Sequence, residues 1–375
     1  MKNVISGTIA LSTAAMTLAS DPFADVEPAA AARALSPRSW KDDLLFRREI
    51  YWMTTAGRED FAETHDLYSR VSAGFEVQKR FSTATRTLAA LDYQGRVVYR
   101  HHILDTAGDP MGMDASTWEY ETHNAYADLY NPLGEPGRFN LRAGRFYLPF
   151  GLNYQTDTHG TLLQLSNDRV FGTERDWQVT AYGEATRHLD YAAGYVLGSG
   201  PEQEVDGQKG MAMGRLGLGS PVLFERGLEG GVSAAYGERI DPHVAPTVAI
   251  ETWRAGADLR KRFDSALGPF TLTGEAAVGE DDTEGVWSGL AQAEWLNPGR
   301  RWGMAAQYSR LMRETDGEES RDDADERTHL VLTRYFRNEI GNAALHWIAL
   351  GVERQMQIPE DGPDTLFTVQ YYRYW

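Results

Sequence analysis

The chain has 375 residues, with 37 Lys and Arg against 54 Asp and Glu and a formal net charge of −17. That length suits two or three ordinary domains or one large β architecture, and the acidic balance excludes a basic nucleic-acid module. With no cysteine, a disulfide framework, a thiolate metal site, a cysteine nucleophile and covalent c-type haem attachment are excluded as well.

Hydrophobic residues make up 42% of the chain, yet the mean hydropathy is −0.46. Apolar and polar surface must therefore be finely interleaved. The N-terminus carries Lys2 and a mildly apolar run from Val4 to Ala19, closing on Leu18, Ala19 and Ser20. Residues 1–20 read as a secretory signal, cleaved near Ser20 or in the Ala29–Ala32 run; the competing reading is a cytosolic tail. Residues 21–42, rich in Ala and Pro, read as a flexible lead-in. Beyond them no window of about 18 apolar residues occurs, which excludes helical membrane spans but leaves a membrane barrel open.

From residue 43 onward the texture is uniform. Val71, Ala73, Phe75 and Val77 alternate with Arg70, Ser72, Glu76 and Gln78; Trp177, Val179, Ala181 and Ala185 alternate with Gln178, Thr180 and Glu184. Period-two alternation is the mark of strands with one apolar and one polar face. Counting such runs predicts sixteen strands. The first eight are 43–56, 68–81, 85–101, 117–130, 139–149, 177–187, 188–197 and 209–219. The second eight are 227–237, 248–263, 268–280, 285–297, 300–313, 328–338, 342–356 and 365–375, with totals of fourteen or eighteen as alternatives.

Trp287 and Trp295 lie on one face of the 285–297 run. Eight residues span ~26 Å, or about 20 Å along the membrane normal after tilting, so one ring falls near each lipid interface. Connections alternate between long and short, as in outer-membrane barrels. A soluble sandwich also alternates, but its sealed core would not face so many Glu and Arg. The predicted fold is an all-β transmembrane antiparallel barrel over residues 43–375.

Two segments resemble known proteins. Phe367, Val369, Tyr371, Arg373 and Trp375 are similar to the terminal strand signature of bacterial outer-membrane barrels, with Arg373 departing from the usual residue at the third place from the end. Ala125 to Tyr130 followed by Arg142 to Gly151 resembles the strand pair of phosphate-selective porin O/P-like barrels. The resemblance covers about 30 residues and implies a sixteen-strand channel in the outer membrane. It does not carry anion specificity across, because the chain is acidic and lacks a lysine-rich stretch.

In such a pore Glu76, Glu119, Glu121, Glu184, Glu275 and Glu294 face inward, against Arg142, Arg254 and Arg260. They either set up a transverse field at a constriction or balance one another as solvated lumen residues. The longest loop, Phe150 to Asp176, holds Asp157, His159, Asp168 and Arg169 and is expected to fold inward as a constriction, the alternative being an exposed surface loop. Glu314 to Glu326 holds eight acidic residues and Glu280 to Glu284 four more. A hydrated acidic rim is the preferred reading over a Ca²⁺ site bridging to lipopolysaccharide, and it suggests weak cation preference.

The expected function is passive diffusion of ions or small hydrophilic solutes, without a cofactor or metal, through a barrel set in outer-membrane lipid and lipopolysaccharide. Barrels of this size commonly form a homotrimer, which the sequence does not establish, and nucleic acid is not an expected partner. Two alternatives stand beside it. One is a sheath around a cytochrome whose haem another chain supplies; the other is a barrel enzyme using His159, for which no serine in a nucleophile setting is found.

Overall fold

The computed structural model describes residues 43–59, 65–83, 86–105, 113–134, 137–152, 160–200, 209–218, 227–241, 245–314, 324–339, 344–357 and 363–375. The expected signal and lead-in, together with Asp157, His159 and most of the acidic 314–326 run, lie outside the described residues.

Sixteen strands follow one another. β1 is Leu44–Glu59, β2 His65–Ser82, β3 Thr87–Asp105, β4 Met113–Tyr130 and β5 Asn140–Tyr147. After a short helix, α1 (Ser166–Phe171), come β6 Arg175–Thr186, β7 Leu189–Val196, β8 Met211–Gly217, β9 Leu228–Asp241 and β10 Ala245–Phe263. The last six are β11 Phe270–Asp281, β12 Glu284–Leu296, β13 Trp302–Glu314, β14 Asp325–Glu339, β15 Ala344–Gln357 and β16 Pro363–Tyr374. Each pairs antiparallel with its chain neighbour, and β16 closes on β1 from Glu49 opposite Tyr374 to Glu59 opposite Asp364. Closure leaves no edge strand to satisfy, which is the condition for carrying a sheet through hydrocarbon. All sixteen expected strands are present, their ends shifted by a few residues.

The pleat explains the alternation. Along β6, Trp177 and Val179 are exposed while Gln178 and Thr180 are buried; along β10, Trp253 and Leu259 are exposed while Arg254, Asp258 and Arg260 are buried. Apolar side chains thus cover the outside and charged ones the inside. That inversion of a soluble protein's pattern is what a lipid solvent selects. Inside the β1–β16 seam, Tyr51, Tyr372 and Tyr374 pack together with Trp347, whose ring lies 4.3 Å from that of Tyr372.

One departure from strict alternation has a clear origin. Glu121 and Asp128 are an odd number of residues apart, yet both side chains face the interior, where each binds arginine. A register shift opposite Gln94 and Gly95 inserts His123 as an extra residue in β4. The bulge flips the faces, so Trp118 and Tyr120 are exposed before it and Ala127 and Leu129 after it.

Gly144 in β5 has φ +133, and a Cβ there would fall 2.1 Å from the Ala125 carbonyl oxygen. Only glycine lets β4 and β5 approach this closely. Gly144→Ala is therefore expected to destabilise the barrel by about 1–3 kcal/mol, read as a lower urea midpoint; an unchanged midpoint would remove the close-approach argument.

Candidate functional site

The interior is partly filled by the chain's own connection between β5 and β6. Leu148, Phe150, Val170 and Phe171 are buried against Val196, Met211, Met213, Ala235 and Ala277, the inward residues of β7, β8, β9 and β11. Phe150 and Phe171 meet edge to face at 5.1 Å. An apolar patch on an otherwise polar inner wall gives the connection a place to bury its own apolar side chains. Gly172, with φ 68, ends α1 in the left-handed region and donates its N–H to the Asp168 carbonyl at 2.8 Å.

Polar contacts fix the same segment across the lumen. The Gly151 N–H donates to Ser233 Oγ at 2.9 Å, and both Leu152 N–H (3.2 Å) and Ser166 Oγ (2.7 Å) donate to Glu275 Oε2. Gln164 exchanges hydrogen bonds with the Gln307 side chain, both at 2.9 Å, and Arg239 donates to the Phe171 carbonyl at 2.9 Å. Arg169 closes the set with an ion pair to Asp325 and a 2.7 Å bond to its carbonyl. Residues 160–164 then reach the far wall: a Cβ on Gly160 would meet Trp347 at 2.8 Å, and Leu162 lies beside Gly351.

Between Thr161–Gln164 and the wall of β1, β2 and β14 to β16 lies a cavity of about 350 Å³. Thr55, Tyr68, His329, Glu353 and Thr368 supply its polar lining, and Met53, Leu162, Val331 and Leu366 its apolar lining. Among the described residues the lumen is packed on the β7–β11 side and holds this cavity on the β15–β1 side.

The structure groups most of the nine charged residues expected on the inner face into pairs with residues the sequence did not single out. Arg142 makes a bidentate pair with Asp128, both contacts at 2.8 Å, beneath Tyr126. Arg254 and Arg239 share Asp281 at 2.7 and 3.0 Å. Arg260 binds Glu229 at 2.8 Å. Glu121 is held by Arg70, Arg96 and Arg100 at 2.6–2.7 Å, with Glu119 on Arg100 at 2.5 Å. Glu76 lies 3.6 Å from Arg47 and accepts the Tyr374 hydroxyl. Glu275 anchors the inner segment, Glu184 stands opposite Asp190, and Glu294 stands opposite Thr271.

Among the expected loop residues, Asp168 and Arg169 sit in α1, while Asp157 and His159 lie outside the described residues. The acidic runs are also divided. Asp281 and Asp325 turn inward to arginines, whereas Glu280 is exposed. Among the described residues no group of three His, Asp or Glu is arranged to hold a metal ion. The sequence also missed the apolar patch; its traces are that Met211 and Met213 share a face with Arg215 in β8, and that Ala192, Gly194 and Val196 follow Asp190 on the inner face of β7.

No protein-family model and no curated protein matches the chain. Solved structures do. The chain resembles OprB of Pseudomonas putida at low pH, with 9% identity, 89% of this chain and 93% of that chain covered, and a TM-score of 0.55. It resembles DcaP, an outer membrane channel of Acinetobacter baumannii, with 6% identity, 88% and 96% covered, and a TM-score of 0.53. It also resembles OmpT, an outer membrane protein of Vibrio cholerae in a trimer form, with 10% identity, 89% and 100% covered, and a TM-score of 0.51. These identities carry fold alone and do not single out the phosphate-selective family that Ala125–Tyr130 and Arg142–Gly151 resemble. What the chain shares with these three outer-membrane proteins is the fold, a closed antiparallel β-barrel.

Proposed function

We propose that this chain is an outer-membrane porin through which ions or small hydrophilic solutes diffuse along the β15–β1 side of the lumen. The observation that supports the reading is the combination of an apolar exterior, a charged interior and an inner segment whose described residues leave a cavity of about 350 Å³ against β1, β2 and β14 to β16. Asp168 and Arg169 belong to that segment, so its proposed role is constriction. Arg169 acts there as a tether to β14.

The interior ion pairs bear on selectivity. A guanidinium bound to a carboxylate of its own at 2.8 Å presents little net charge to a passing ion, so Arg142 and Arg260 do not impose an anion-attracting field; Arg254 and Arg239 share the single carboxylate of Asp281 and leave one positive charge on that wall. Excess acidity, −17 over the chain, then biases permeation weakly toward cations. The inner segment occupies space that a threaded cytochrome would need, which weighs against the sheath reading.

Single-channel recording of the full chain in a planar bilayer tests this, with reversal potential read across a KCl gradient. Discrete steps with a small cation-selective potential are expected. A bilayer that stays silent while the protein is inserted and folded would sink the channel reading, and an anion-selective potential would sink the proposed selectivity.

A further inference from the structure

The outer wall carries a basic and aromatic rung at the end where both described termini, Asp43 and Trp375, lie. Register sets Arg337 opposite His346 and His346 opposite Arg373, and Arg48 exchanges backbone hydrogen bonds with Trp375 at 2.9 and 3.0 Å. Opposed residues share a face, so these side chains run side by side along the outside of β14, β15, β16 and β1. A register irregularity between Tyr335 and Arg337 contributes. It admits Phe336 as an extra residue and so brings Arg334 and Arg337, an odd number of positions apart, to the same outer face.

Each principal cation lies against an aromatic ring of that face. The guanidinium carbon is 5.7 Å from the Phe46 centroid in Arg48, 4.9 Å from Trp302 in Arg334, and 4.6 Å from Trp375 in Arg373. The carboxylate nearest in β1 does not join them, because Glu49 is buried on the inner face, 3.5 Å from Arg96. At the opposite end of the barrel the outward charges are mixed: Glu251 accepts from Tyr236 and Glu326 from Tyr308, both at 2.8 Å, while Arg310 stands opposite Glu326 and Lys209 pairs with Glu238 at 2.7 Å.

We propose that the Arg334–Arg373–Arg48 rung binds the headgroups of anionic phospholipid in the leaflet facing the short turns. The inference rests on the membrane-barrel reading above. Aromatic rings seek the depth of the headgroups, and a guanidinium lying on such a ring is held at that depth with donors suited to a phosphodiester. A zwitterionic lipid brings its own ammonium and cancels most of the attraction; an anionic one does not.

Spin-labelled phosphatidylglycerol and phosphatidylcholine, added in turn to vesicles containing the full chain, measure the preference directly. Phosphatidylglycerol is expected to be retained at the protein surface about fivefold over phosphatidylcholine. That preference should fall in the Arg48→Gln, Arg334→Gln, Arg373→Gln triple variant, return in the matching triple Lys variant, and fade at ~1 M salt, where the screening length is about 3 Å. Equal retention of the two lipids by an inserted, heat-modifiable natural barrel overturns the proposal and leaves the barrel reading intact, as does a preference unchanged in the Gln variant. If the Gln variant does not fold, the salt titration of the natural chain decides: a preference that persists at high salt overturns it. Failure of the natural chain to insert into either vesicle sinks both readings.

Discussion

Replacing residues 153–173 by a short Gly-Ser link is expected to raise single-channel conductance about two- to threefold. Sixteen strands enclose a water-filled channel when nothing folds into it. Here the inner segment lies across that space, fixed to β9, β11, β13 and β14 through Ser233, Glu275, Gln307 and Asp325. Conductance scales with the cross-section left for hydrated ions, and the proposed path is the cavity beside Thr55, Gln164 and Glu353. Removing the segment takes Val170 and Phe171 off the apolar patch and widens that space, while Leu148 and Phe150 stay on the wall. The barrel should still close, because β1 pairs with β16 and every wall strand with its neighbours independently of the segment. Recording from the replaced protein, after confirming that it remains heat-modifiable, checks the expectation. An unchanged conductance would mean that ions do not pass where the segment lies. Arg169→Ala tests the tether alone: losing its two contacts to Asp325 should produce flicker between conductance levels, and steady single-level openings would show that the remaining contacts suffice.

The architecture was legible in the sequence because a barrel wall writes its two solvents into alternate positions. Runs such as Trp253, Ala255, Ala257 and Leu259 against Arg254, Asp258 and Arg260 leave few other arrangements. Alternation fixes faces within a strand, but it says nothing about which inward residue on one strand meets which on the next. That is set by register, and register between β9, β10 and β11 is what gathers Arg239, Arg254 and Asp281. Bulges hide more. Asp128 stands at the wrong parity relative to Glu121, and only the extra His123 brings both to the interior. The inward path of the β5–β6 connection was expected from its length. Its binding surface was not, because the methionines, alanines and valine that receive Phe150 and Phe171 come from four strands, each of which also carries a charged residue on its inner face.

The other large effect is expected at Asp128. Its carboxylate accepts Arg142 Nε and Nη2, the Tyr182 hydroxyl at 3.0 Å and the Tyr130 hydroxyl at 3.1 Å. Arg142 in turn lies 4.2 Å from the Tyr126 centroid and 5.3 Å from those of Phe146 and Tyr182. With Arg142 at 7% and Asp128 at 3% exposure, neither charge can turn to bulk water when the other is lost. Asp128→Ala strands a guanidinium among aromatic rings and should destabilise the barrel by about 3–5 kcal/mol. Arg142→Met should be milder, since the carboxylate keeps two phenolic donors. Combining Arg142→Met with Asp128→Leu should recover much of the loss, because the pair's desolvation disappears with both charges. Urea unfolding of the three variants in vesicles gives the comparison; a single-variant effect below about 1 kcal/mol would show that water reaches the pair. The same cycle separates stability from permeation. Arg142→Met unmasks a carboxylate and should move the reversal potential toward cations, whereas the double variant should leave it where the natural chain has it. A shift of the double variant as large as that of Arg142→Met would mean that Arg142 acts on ions directly and not through the charge it neutralises.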